Sequence, residues 1–106
     1  MALTTGVDRI VSLETCRHDT VRNIRDIVAA SGDITTVLYG LRAMSRLGVP
    51  IETLDQLAKD YNRRIREQPE YDSAPPISEY VVQSGNSFQR RVLTGDTPVS
   101  IPVPDE

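Results

Sequence analysis

Glu79-Tyr80-Val81-Val82-Gln83-Ser84, then Gly85-Asn86, then Ser87-Phe88-Gln89-Arg90-Arg91-Val92-Leu93-Thr94 is the stretch that decides the fold class. Its two arms are rich in β-branched and aromatic residues and carry a period of two. Gly85-Asn86 is the length and type of linker that joins antiparallel strands in a tight hairpin. Gly95-Asp96 offers a second turn, after which Val99, Ile101 and Val103 alternate with Ser100, Pro102 and Pro104. Proline has no amide hydrogen for a ladder, so this last segment reads as an edge strand or an extended arm. A ribbon of two or three short strands is marginal alone. Its apolar residues need the rest of the chain, or another molecule, to rest on.

Upstream of the ribbon the period changes. Residues 68–78 form a linker whose prolines, Pro69, Pro75 and Pro76, preclude helix and favour extended geometry. Before it lie three amphipathic segments. The first helix is predicted over about Asp19–Ala30, with Val21, Ile24, Ile27 and Val28 on its apolar face and Ser31-Gly32 closing it. Val7, Ile10 and Val11 suggest a shorter turn upstream, interrupted by the polar stretch Glu14–His18. The second helix, Ile34–Leu47, has Asp33 as N-cap, a stripe of Ile34, Val37, Leu38, Leu41 and Met44, and Gly48 as its stop. Gly40 lies inside it at a cost of about 1 kcal/mol, which suggests close approach of a neighbouring backbone. The third helix starts with Pro50 in its first turn and buries Ile51, Leu54, Leu57, Ala58, Tyr61 and Ile65. Glu52 and Asp55 at its start and Arg63, Arg64 and Arg66 at its end oppose the macrodipole, and Asp55 with Lys59 makes an i,i+4 pair. The sequence thus predicts an α+β protein: a three-helix bundle over 1–67, a proline-containing linker over 68–78, and a β-hairpin with an extended third strand or arm over 79–106.

Composition bounds the function classes. The 106 residues, 39% of them hydrophobic, suffice for one domain and are too apolar for a wholly disordered chain. No run approaches the roughly 18 apolar residues of a membrane span, so no membrane partner is expected. The N-terminus lacks a basic start followed by an apolar stretch, and a single cysteine allows no internal disulfide, which leads to the expectation of a cytoplasmic protein. Residues 1–67 carry a net +1 and residues 68–106 a net −4. A mildly basic front and an acidic rear can attract each other or different partners.

The sequence offers little to catalysis. Cys16 and His18 are two apart, and side chains at that spacing on a helix diverge. These two soft ligands fall short of the four a structural zinc requires. The six glycines are dispersed, so no phosphate loop is expected. The expectation is a non-enzymatic protein with no cofactor and no metal. A nucleic-acid alternative rests on a helix-turn-helix-like pair around Gly32, in which Arg42 and Arg46 would lie on the recognition helix and Arg22 and Arg25 would reach phosphates. Leu38, Leu41, Met44, Leu47-Gly48-Val49-Pro50-Ile51, Leu54 and Leu57 resemble the helix pair that follows the wing in MerR-type regulators, where a Leu-Gly-apolar step joins two helices in a similar register. The resemblance covers about a fifth of the chain, and residues 1–31 have no counterpart of that family's DNA-reading half. It implies a small regulator and carries over no site residue.

The aromatic and arginine residues of the second half point to protein binding. Tyr71 lies among prolines, Tyr80 and Phe88 can form a cross-strand pair, and Arg90 and Arg91 must face opposite sides of a strand. Tyrosine and arginine are enriched at interfaces. Tyr71, Tyr80, Phe88, Arg90 and Arg91 are therefore the candidate partner-binding residues. The function expected is a protein–protein interaction module: a small subunit, inhibitor or adaptor of the kind phages also encode. It would form a homo-oligomer or dock on a protein partner through bundle and ribbon.

Overall fold

A computed structural model describes residues 5–93 and 98–103, and the side chains from residue 17 onward within that range. The predicted turn at Gly95-Asp96, together with Thr94 and Pro104, lies outside the described residues. The element order is α1 (Thr5–Ala30), α2 (Ile34–Arg46), α3 (Ile51–Glu67), a 3₁₀ turn (Pro69–Tyr71), β1 (Glu79–Ser84), β2 (Ser87–Val92) and β3 (Val99–Pro102). The strands form one antiparallel sheet in the order β1-β2-β3. The α+β class and the hairpin with a third strand are as the sequence predicts.

Helix ends follow local chemistry. Asp33 caps α2 by accepting from the Thr36 amide (3.3 Å) and the Thr36 hydroxyl (2.8 Å). The hydroxyl bond, ahead of the amide bonds, holds the Asp33 carboxyl below its ordinary pKa. At the other end Gly48 adopts φ 90°. The Gly48 amide donates to Ser45 O (3.2 Å) and the Val49 amide to Met44 O (3.0 Å), which is a Schellman closure. Pro50 is the N-cap of α3, one residue earlier than predicted, and its carbonyl accepts from Thr53 and Leu54.

α1 departs from expectation in three ways. It runs unbroken through Glu14–His18, because polar residues change what a helix exposes without breaking its backbone bonds. Ile27, expected on its buried face, is 58% exposed, whereas Val28 is buried. The contact with α2 is narrow: Val28 enters a gap left by Gly40, where an added β-carbon would collide with the valine's Cγ2. That gap admits a neighbouring side chain, not a backbone. Finally, Gly32 does not close α1 through positive φ. With no basic residue in its last turn, α1 is closed by Arg64 of α3, which donates to Val28 O (2.9 Å) and Ser31 O (2.6 and 3.0 Å). Gly32 instead lies under the Tyr71 ring, in space a side chain would fill.

The linker is bound down along its length. Tyr61 donates its hydroxyl to Pro75 O (2.8 Å). The Asn62 side chain pairs with the Ile77 backbone in both directions, receiving from its N–H (2.7 Å) and donating to its C=O (2.8 Å). Ile77, Tyr80 and Val82 then join Val37, Leu41, Met44, Leu54, Ala58 and Tyr61 in one buried cluster. The ribbon rests on the helices.

Candidate protein-docking surface

The antiparallel register sorts the sheet into two faces. Tyr80 lies opposite Arg91, and Arg91 opposite Ser100, so these residues share the inner face with Val82. Val81, Arg90 and Ile101 lie across from one another on the outer face, as do Glu79, Val92 and Val99.

The inner face is fastened to α3 by one carboxylate. Asp55 is buried and receives the Tyr80 hydroxyl (2.6 Å), Arg91 Nε (2.9 Å to Oδ2) and Arg91 Nη2 (2.7 Å). Arg91 Nη1 continues to Ser100 Oγ at 3.0 Å, so α3 and all three strands are joined. Burial, reinforced by the bond to Asp55, pushes the Tyr80 phenol far above its ordinary pKa. The Asp55 bond likewise raises that of the Arg91 guanidinium. The i,i+4 spacing predicts a pair of Asp55 with Lys59. Packing instead turns Asp55 towards the sheet, where its charge meets Arg91.

The outer face has no such covering. Val99 is 50% exposed, Ile101 39%, Val103 41% and Val81 37%, and all project from the same side. Arg90 stands among them in a long, half-exposed pair with Glu79 (3.7 Å). Where this face meets α2, an open groove of about 360 Å³ is lined by Leu38, Tyr39 and Arg42 of α2 and by Glu79, Val81 and Arg90 of the sheet. Tyr39 on its rim is 72% exposed. Arg42 lies over the Phe88 ring, 5.3 Å from its centre, and has no carboxylate partner among the described residues. Farther along β1, Ser45 of α2 accepts the Gln83 amide at its Oγ (3.1 Å).

The five candidate partner-binding residues therefore separate. Phe88 and Arg90 belong to the outer face and the groove. Tyr80 and Arg91, expected to meet a partner, point inward and are held by Asp55. Tyr71 is half-buried over Gly32, where it packs on its own chain. Tyr80 and Phe88 are not a cross-strand pair, since Tyr80 opposes Arg91 and Phe88 opposes Gln83. As the sequence requires, Arg90 and Arg91 face opposite ways. Of the arginines of the nucleic-acid alternative, Arg22 and Arg25 are exposed on α1 beside His18, with Arg22 paired to Asp19, and Arg46 is exposed on α2. Only Arg42 borders the groove.

Among the described residues no three His, Cys, Asp or Glu side chains converge as a metal site would require, and no helix is long and apolar enough to cross a membrane. Comparison with known proteins finds no matching family, curated protein or solved structure.

Proposed function

We propose that this protein is a non-enzymatic interaction module that docks on a protein partner, or on a second copy of itself, through the outer face of its sheet. One observation carries the reading: a row of β-branched residues, Val81, Val99, Ile101 and Val103, remains open to solvent on a sheet whose other face buries Tyr80 and Val82 against the helices. Contiguous apolar patches on small proteins mark interaction sites. Tyr39, Phe88 and Arg90 at the border are residue types enriched in such sites. The role is that of a small subunit, inhibitor or adaptor. A lone cysteine fits the reducing cytoplasm as its compartment.

The test compares the intact chain with Ile101→Asp by affinity capture from host extract and by sedimentation over a range of concentrations. Ile101 lies outside the buried cluster that holds the fold, so the variant is expected to stay folded and to lose its complex or its self-association. Complexes unchanged in Ile101→Asp would refute the docking face. Binding to duplex DNA that falls steeply with salt would transfer the function to the arginines.

A further inference from the structure

The register of β1 shows which of its backbone groups are in use. The Leu93 amide donates to Ser78 O at 2.9 Å, so Tyr80 and Val82, two and four residues on, face β2 with their N–H and C=O. Glu79, Val81 and Gln83 face away from it, towards α2. Gln83 is satisfied by Ser45 Oγ. The N–H and C=O groups of Glu79 and Val81 have no protein partner among the described residues, and they open into the groove. The far edge of the sheet is different. The Val103 amide donates to Phe88 O, so positions 98, 100 and 102 of the third segment face outward, and two of the three are proline. Only Ser100 has an N–H to offer there.

We infer that the groove between α2 and β1 receives an extended acidic peptide segment of a partner protein, which adds as a fourth strand to β1 at Glu79 and Val81. The inference rests on the docking reading and names the partner's chemistry. Backbone pairing supplies the attachment, and alternate side chains supply the selection. Those facing the wall of α2 meet Leu38 and the exposed Tyr39. Those facing the outer side meet two guanidinium groups. Arg42 has only the Phe88 ring, and Arg90 has only a 3.7 Å pair with Glu79 between half-exposed side chains. Two arginines against one glutamate make the groove cationic, in a chain whose overall charge is −3. A basic segment would leave both arginines opposed by like charge. A second copy would bring its own Arg42 and Arg90 to the same place.

Two labelled peptides of about eight residues test this, one alternating valine with glutamate and one alternating valine with lysine. Anisotropy titration is expected to show the glutamate peptide binding at least about tenfold more tightly. On its addition, amide hydrogen exchange should slow at Glu79 and Val81. Arg42→Glu should weaken binding about tenfold or more. So should Val81→Pro, which removes an outward amide and leaves the β1–β2 ladder intact. Equal binding of the two peptides, binding of neither at millimolar concentration, or protection that spares Glu79 and Val81 would overturn strand addition. If the peptides fail while Ile101→Asp still abolishes complex formation, docking through the outer face stands and only the groove's role falls.

Discussion

The inner and outer faces of the sheet draw on similar residues and meet opposite fates. Each carries valine, Val82 alone on the inner face and Val81, Val92 and Val99 on the outer, and one arginine of the Arg90-Arg91 pair. Inside, Arg91 finds a buried carboxylate and Val82 a packed helix; outside, Arg90 finds a distant Glu79, and Val99 and Ile101 find water. What separates the two is what lies across from them. α3 presents Asp55 on the side of its apolar stripe, so the inner face is completed by the chain itself. The outer face meets only the rim of α2, where Arg42 lies over Phe88, and Val99 and Ile101 stay half-exposed; on the proposed docking function another molecule completes it.

The largest effect should come from removing the inner carboxylate. Asp55→Ala leaves Arg91 and the Tyr80 hydroxyl enclosed without their acceptor, and should cost about 3–5 kcal/mol in urea denaturation. The triple change Asp55→Leu, Tyr80→Phe, Arg91→Met should recover most of that loss. If Asp55→Ala proves neutral, the sheet is not held by this cluster. Next in size is a matched pair of truncations. Val82→Ala should cost about 2 kcal/mol, while Val81→Ala, one residue along and on the other face, should stay within about 0.5 kcal/mol. Similar losses at both would mean that the outer face is covered.

The smallest effect is confined to alkaline solution. The folded Tyr80 phenol has its pKa raised above the free value, so its contribution is fully present below about pH 10 and is lost as pH rises beyond it. Urea midpoints should hold steady up to about pH 10 and fall as pH rises further, and Tyr80→Phe should flatten that slope. Tyr61, whose phenol burial also raises, keeps part of it. An unaltered slope in Tyr80→Phe would show that its hydroxyl is not engaged.

Much of the fold is legible in the sequence because it is local. Gly48, Asp33 and Gly85-Asn86 set helix ends and a turn by short-range chemistry. Gly85 has φ 60° while Asn86 keeps negative φ, the pattern of a type II′ hairpin. The candidate site is less legible because it depends on distant pairings. Asp55 and Asn62 fall on the same helical stripe as Ile51, Ala58 and Ile65, and polar groups on an apolar stripe need a partner from elsewhere. That signal was available in the spacing, but the i,i+4 match to Lys59 offered a nearer explanation for Asp55. Tyr71 misleads for the same reason: its proline neighbours suggest an extended linker, whereas its place is set by Gly32, far behind it in the chain. The division of Tyr80 from Phe88 follows from the two-residue turn alone, since it fixes the register that separates them.

The prolines of the third segment bear on how copies of this protein can combine. Endless stacking of sheets into a filament demands that every unit be receptive at both margins. Here one margin retains free backbone groups at Glu79 and Val81, and the other is largely stripped of donors at positions 98 and 102. If a neighbour adds at the first margin, as proposed, the second offers the next one only the Ser100 amide, which disfavours fibrous growth along the sheet.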